Sequence, residues 1–130
     1  MENSICLDTN ILVHLLRGKE EETKFIKEFE ERGRITTTII TLFELYFGAY
    51  LSGKEENVHQ VEELEKRIAV LPLKKDTVKI AGKILAELQK KGEDIEFRDL
   101  FIGCIAREEH IPLKTYNIKH FKNIPGVVLV

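Results

Sequence analysis

The segment from Ser4 to Leu16, SICLDTNILVHLL, predicts a short buried strand followed at once by a helix. Residues 4–7 are mostly apolar, and the polar tripeptide Asp8-Thr9-Asn10 separates them from a second apolar run. In an open parallel sheet, ligands bind beyond the carboxyl ends of the strands, which is where Asp8 would lie. Asp8 is equally suited to be a helix N-cap, because Asp, Thr and Asn are all preferred there.

Strand-like and helix-like segments alternate along the rest of the chain. Further strands are predicted at 35–40, 69–73, 111–115 and 127–130, with helical segments between them. This alternation predicts an α/β domain with a mainly parallel central sheet. A length of 130 residues fits one domain, residues 1–130.

Composition narrows the class of protein. With 43% hydrophobic and 32% charged residues, the chain is neither disordered nor membrane-spanning in composition. No apolar run approaches the ~20 residues that a spanning helix needs, and the start, Met-Glu-Asn, does not resemble a signal peptide. We therefore expect a cytoplasmic protein with no membrane partner.

Cysteine and histidine spacing gives no metal motif. Cys6 and Cys104 lie in apolar segments without a C-x-x-C pair, which predicts two buried thiols. The four histidines show no ligand spacing such as H-E-x-x-H, so each is expected to be structural or solvated.

Charge is unevenly distributed along the chain. Residues 1–65 carry 14 acidic and 7 basic side chains, whereas residues 66–130 carry 8 acidic and 13 basic ones. The basic half could follow a phosphate backbone, or its charges could be solvated helix faces.

Two further acids stand at predicted helix starts. Glu44 completes a capping-box pattern with Thr41, and Asp99 precedes the apolar segment 100–106, so either acid could simply stabilise a helix N-terminus. Either could also face Asp8 across a cleft.

The helix at 42–51 is apolar on nearly every side, which predicts a core helix or, in so small a domain, a homodimer interface.

Asp8, Glu44, Asp99 and Asn117 each follow a strand or open a helix, so they could converge at one edge of a parallel sheet. Hard cations such as Mg²⁺ or Mn²⁺ take oxygen ligands of this kind. A metal ion there would suit phosphodiester hydrolysis by an activated water.

The chain resembles the PIN-domain family and, within it, the VapC-type toxin ribonucleases. The resemblance rests on short motifs in order along the chain: Asp8-Thr9-Asn10 after a strand, Glu44-Leu45-x-x-Gly48-Ala49, Gly92-x-x-Ile95-x-x-x-Asp99-x-x-Ile102, Thr115-x-Asn117-x-x-His120-Phe121, and Ile124-Pro125-Gly126. It implies a three-layer α/β/α PIN-like domain.

The resemblance implies roles for the polar residues. Asp8 and Asp99 would be the principal metal ligands, and Glu44 a third acid that binds directly or through water. Asn117 would support water or metal. Thr9 and Asn10, and also Thr115, would hold the orientation of Asp8. Many relatives have a further Asp at the position of Phe97, so one firmly held ion is expected here, with a second arriving alongside substrate.

The family implies a cytoplasmic, Mg²⁺- or Mn²⁺-dependent endoribonuclease that dimerises, cleaves RNA and is silenced by a small antitoxin protein in a type II toxin-antitoxin system. Two alternatives keep the fold: an RNA-processing PIN nuclease without an antitoxin, and a non-catalytic nucleic-acid-binding module. A phosphotransfer fold would also place an Asp after its first strand, but the haloacid-dehalogenase type needs another Asp where Asn10 stands.

Overall fold

A computed structural model describes residues 3–130 of the chain. Its elements are β1 (Ser4–Leu7), α1 (Thr9–Leu16), α2 (Glu20–Glu30), β2 (Arg34–Thr38), α3 (Ile39–Leu51), α4 (Glu55–Arg67), β3 (Ala69–Leu71), α5 (Lys75–Lys90), α6 (Phe97–Glu108), β4 (Leu113–Lys114) and α7 (Ile118–Phe121). Residues 1 and 2, which belong to the start that was compared with a signal peptide, lie outside the described residues. None of the helices in residues 3–130 has the length and apolar character needed to cross a membrane.

The four strands form one sheet in the order β3-β2-β1-β4, and every neighbouring pair is parallel. β1 lies at the centre, with Cys6 opposite Thr36 of β2 and opposite Leu113 of β4. The predicted parallel α/β sheet is therefore confirmed. Since all strands run the same way, their carboxyl ends meet at one edge, where Asp8 follows β1.

Helices cover both faces of the sheet, which confirms the three-layer arrangement. Alternate residues of a strand point to opposite faces. Ile5 and Leu7 accordingly pack with apolar residues of α1 to α4, whereas Cys6 packs with those of α5, α6 and α7. The protein thus has two apolar cores, one on each side of β1.

β2 is rich in threonine because its buried hydroxyls have backbone partners. Thr36 donates to the Ile5 carbonyl at 2.8 Å, and Thr37 donates to the Leu7 carbonyl at 2.7 Å. Thr38 instead caps α3, its hydroxyl oxygen accepting from the Thr41 N–H at 3.1 Å. The capping box predicted for Thr41 and Glu44 is therefore wrong: β2 passes directly into α3, so the cap falls three residues earlier.

The strand predicted at 127–130 is also wrong. The segment forms only an isolated parallel bridge between Leu129 and Leu113. Leu113 donates to the Val128 carbonyl at 2.8 Å and accepts from the Val130 N–H at 3.0 Å. Because β4 is two residues long, it offers the segment no further ladder partners.

Candidate functional site

Asp8 lies at the centre of the candidate site and is 97% buried, with 3% of its surface exposed. It is the N-cap of α1, and Oδ1 accepts from the Thr9 N–H at 2.8 Å. Its other oxygen, Oδ2, accepts from the Thr115 hydroxyl at 2.7 Å. The capping and cleft interpretations of Asp8 therefore both apply, because the end of β1 is also the start of α1.

Thr115 joins two parts of the site. While its hydroxyl donates to Asp8, its oxygen accepts from the Asn117 N–H at 2.9 Å. The backbone is tied as well, because the Asp8 N–H donates to the Lys114 carbonyl at 3.0 Å. These bonds fix the segment after β4, and with it Asn117, beside Asp8.

Glu44 approaches the site from α3. Its Oε1 accepts from the Thr9 hydroxyl at 2.6 Å, and Thr9 Oγ1 also lies 3.0 Å from Thr41 Oγ1. Its other oxygen, Oε2, lies 3.5 Å from the Arg98 guanidinium. The Thr9 side chain thus orients Glu44, while its backbone holds Asp8.

Asp99 enters from the first turn of α6, but it is not the cap of that helix. Glu96 is the N-cap, accepting from the N–H groups of Arg98 at 2.8 Å and Asp99 at 3.3 Å. Asp99 Oδ2 lies 2.9 Å from His120 Nδ1. Asp99 is therefore not the N-cap, although it is an acid in the first turn of α6, where the helix dipole favours a negative charge.

The carboxyl groups of Asp8 and Asp99 influence each other. Burial raises the pKa of Asp8 above its ordinary value, although the bonds from Thr115 and Thr9 partly offset this. Burial also raises the pKa of Asp99, and the negative charge of Asp8 raises it further. A buried carboxylate beside a second acid favours the binding of a cation, because the cation offsets the negative charge.

The predicted residues share one cavity of about 320 Å³. Its lining includes Asp8, Thr9, Asn10, Val13, His14, Arg17, Glu44, Asp99 and Asn117. Of the predicted site residues, Thr115 alone is missing from this lining, and it contacts the cavity through its bond to Asp8. The side chains that were predicted to converge therefore line one cavity, or contact it through Asp8.

Four charged or titratable residues of the site were not predicted: His14, Arg17, Arg98 and His120. His14 and Arg17 follow Asn10 at helical spacing, so the periodicity of α1 could have indicated them. The His120 side chain is exposed, as expected of a solvated histidine, and it also contacts Asp99. No sequence signal pairs Arg98 with Glu44, because that contact joins two distant helices.

The donor set suits a hard divalent cation that keeps much of its water. Within residues 3–130, no three His, Cys, Asp or Glu side chains form a ready metal cage. Asn10 Oδ1, however, is buried and has no hydrogen-bond partner among the described residues. An unpaired buried acceptor is costly, so it favours a cation or an ordered donor beside it. Mg²⁺ commonly binds through one or two carboxylates plus water and phosphate, which these residues can supply.

The two thiols take no part in this chemistry. Both are free and buried, as predicted. Burial raises the pKa of Cys6 to about 12 and that of Cys104 to about 11. Because the thiolate is the reactive form, neither cysteine is a nucleophile near neutral pH.

Comparisons with known proteins agree with this geometry. The PIN domain family model matches residues 5–127. The chain is similar to Ribonuclease VapC2 of Haemophilus influenzae, with 31% identity over 120 residues that cover 91% of this chain and 89% of that protein. It is also 32% identical over 123 residues to the tRNA(fMet)-specific endonuclease VapC of Salmonella typhimurium, covering 93% and 92%. The crystal structure of VapBC2 from Rickettsia felis, bound to a DNA fragment from its promoter, contains a chain with 29% identity and a TM-score of 0.88, over 98% of this chain and 97% of that one.

Proposed function

Because this chain belongs to the PIN domain family, we propose that it is a VapC-type toxin ribonuclease whose acidic cavity hydrolyses RNA phosphodiester bonds with a divalent metal ion. The observation that carries the proposal is the convergence of Asp8, Glu44, Asp99 and Asn117 on one cavity. Two relatives similar over about nine-tenths of the chain are named a ribonuclease and a tRNA(fMet)-specific endonuclease, which supports RNA as the substrate.

Asp8 and Asp99 would hold the metal ion, with Glu44 contributing directly or through water. The bonds from Thr9 and Thr115 fill two of the roughly four acceptor positions of the Asp8 carboxylate and leave the others for a ligand. Those bonds also fix the carboxylate in one orientation, as groups around a metal ligand commonly do.

The remaining polar residues position water and substrate. Glu44, oriented by the Thr9 hydroxyl, can accept a proton from a water molecule in the cavity. Asn117 and Asn10 provide amide groups that can hydrogen-bond that water. When bound, a divalent ion supplies Lewis acidity that activates water and offsets the negative charge developing at the phosphate. The metal is Mg²⁺ or Mn²⁺ in this proposal, since both prefer oxygen ligands.

A small antitoxin protein is the proposed inhibitory partner. A groove of about 350 Å³ runs beside the active cavity and shares Val13, Arg17 and Glu44 with it. Its floor includes Leu45 and Val61, from α3 and α4, so an apolar segment bound there would reach the mouth of the cavity. The similarity to a chain of the VapBC2 complex supports this partner.

A homodimer is the proposed assembly, and α3 is its proposed interface. Phe43 and Phe47 stack one turn apart with ring centroids at 6.3 Å, yet both remain exposed. Tyr50 and Leu51 continue this exposed apolar surface to the end of the helix. Light scattering of the purified chain should give twice the monomer mass, and Phe47→Glu should return it to a monomer.

The experiment that tests the proposed function is cleavage of a mixed RNA pool by the purified chain. Cleavage should require Mg²⁺ or Mn²⁺, stop in EDTA, and leave 5′-phosphate ends. Asp8→Asn should abolish it. Asp76→Asn is the matched control, because Asp76 is an exposed acid on α5 that does not line the cavity.

Two outcomes would redirect the interpretation. A folded chain that neither binds metal nor cuts RNA would favour a non-catalytic nucleic-acid-binding module. Cleavage that a neighbouring small protein never inhibits would favour an RNA-processing nuclease without an antitoxin.

A further inference from the structure

Tyr116 stands at the rim of the acidic cavity on a fixed piece of backbone. The residue before it, Thr115, bonds Asp8, and the residue after it, Asn117, bonds Thr115 and lines the cavity. Even so, 46% of the Tyr116 surface is exposed. The chain therefore holds a large aromatic side chain in place beside the site while leaving nearly half of it uncovered.

The Tyr116 ring packs against His14, which itself lines the cavity. The two ring centroids are 5.2 Å apart, and the ring planes meet at 42°. His14 also lies beside Glu22, with Nδ1 3.7 Å from Oε2. Glu22 is almost fully buried, so it anchors the histidine to the protein interior. We call Tyr116 and His14 the rim pair.

The acidic side chains of the cavity do not themselves attract RNA through charge. Asp8, Glu44 and Asp99 repel a phosphate backbone, and the part of the chain in residues 1–65 is itself acidic overall. Stacking of an unpaired base on an aromatic ring does not depend on opposite charges, and it changes affinity about 5- to 150-fold per base. Single-stranded RNA is commonly recognised through such splayed bases.

We propose that the rim pair is a stacking platform for one unpaired base of the RNA strand, next to the phosphodiester bond in the cavity. This inference rests on the proposed ribonuclease function. Arg17 also lines the cavity and is exposed, so it is available to a phosphate of the same strand. Tyr116 is then a substrate-binding residue, with His14 supporting its ring.

The chain has no tryptophan, which permits a direct optical test. Tyr116→Trp places a single indole in the platform, and a stacked base quenches indole fluorescence. Val78→Trp is the matched control, because Val78 on α5 is as exposed as Tyr116, at 46%, and does not line the cavity. Each variant is mixed by stopped flow with single-stranded oligoadenylate in Mg²⁺ and read before any strand is cut. An abasic ribose-phosphate strand of equal length shows whether the base is needed.

We expect oligoadenylate to quench Trp at 116 and not at 78, and the abasic strand to quench neither. Equal quenching by the abasic strand, or no quenching at RNA concentrations that the unaltered chain cleaves, would overturn the platform while leaving the proposed function in place. If oligoadenylate quenched the 116 variant but the unaltered chain cut no RNA, the result would support the platform and contradict the proposed nuclease function.

Kinetics provide a second readout. Tyr116→Ala should raise KM for RNA about 5- to 150-fold and change kcat little, as expected when one stacked base is lost. Tyr116→Phe keeps the ring, so its KM should stay well below that of Tyr116→Ala. If Tyr116→Phe were as impaired as Tyr116→Ala, the hydroxyl rather than the ring would matter, and the stacking inference would be wrong.

Discussion

The Thr115 hydroxyl donates to Asp8 Oδ2 at 2.7 Å, although the two residues lie 107 positions apart in the chain. Asp8 follows β1 and Thr115 follows β4, which are neighbours in the sheet. One buried hydrogen bond therefore joins the ends of β1 and β4 and also affects the pKa of Asp8.

We predict that Thr115→Val destabilises the protein and further raises the pKa of Asp8. Valine has the shape of threonine but no donor, so the buried carboxylate loses a bond that contributes about 1.5–3 kcal/mol when one partner is charged. Urea denaturation at pH 7 measures the loss. Thr115→Ser retains the donor and should stay close to the unaltered chain; equal stability of the Val and Ser variants would contradict the prediction.

We predict that Asp8 makes the metal-free protein less stable as pH rises. Because the native pKa of Asp8 is raised above 3.8, the folded chain binds more protons than the unfolded chain between 3.8 and that higher value. Stability attributable to Asp8 therefore falls as pH increases through this window.

Denaturation in EDTA across this pH range, compared between the unaltered chain and Asp8→Asn, isolates the effect. The stability of the unaltered chain relative to Asp8→Asn should decline with rising pH. The Asp8 charge also raises the pKa of Asp99, so the difference between the two proteins includes this coupling, which has the same sign and adds to the decline. Glu96, whose pKa is lowered, is present in both proteins. A difference that does not change with pH would show that Asp8 has an ordinary native pKa.

We predict that Mg²⁺ or Mn²⁺ raises Tm and that EDTA reverses the rise. A ligand at 100 times its Kd adds about 2.7 kcal/mol to the free energy of unfolding. Asp99→Asn should abolish the increase with little loss of fold, because Glu96 rather than Asp99 caps α6. Asp76→Asn should respond to metal like the unaltered chain. A Tm independent of metal would count against the proposed centre.

We predict that Arg98→Met strengthens Mn²⁺ binding in the absence of RNA. Arg98 pairs with Glu44 at 3.5 Å and thus competes with a cation for that carboxylate. Removing a partly exposed charge of this kind should improve affinity about fivefold, equivalent to about 1 kcal/mol. Titration calorimetry measures the change.

Arg67→Met is the control for that experiment. Arg67 is similarly exposed and pairs with Glu30 at 3.1 Å, outside the cavity lining. It should leave Mn²⁺ affinity unchanged. If both variants changed the Mn²⁺ affinity equally, a general effect of charge would explain the change, and the prediction of competition at Glu44 would be wrong.

The central part of the fold was predictable because short sequence patterns indicate its strands and helices. An apolar run followed by Asp8-Thr9-Asn10 and a β-branched run at 35–40 both indicate strands that lead into helices, although the second strand ends at Thr38, two residues earlier than predicted. In a parallel sheet the ends of such strands meet at one edge, so the meeting of Asp8 with Glu44 follows from the class of fold.

The errors arose where more than one local solution was available. Threonines at 38 and 41 can each cap a helix, and the tertiary fold selected Thr38. The segment 127–130 has the composition of a strand, but strand length also depends on the partner, and β4 is too short to supply one. The contacts Arg98–Glu44 and His120–Asp99 join distant elements, and no periodicity in a single segment reports them.

The order of the strands also affects when activity can appear during synthesis. A nascent chain emerging from the ribosome displays Asp8 and Glu44 long before Asp99 and Thr115 exist, so the hydroxyl that holds Asp8 and the second central acid both arrive late. β1 remains without one of its two neighbours until β4 has been translated. The half-made protein therefore lacks a complete cavity, and the proposed activity has to wait until Asp99 and Thr115 have been translated.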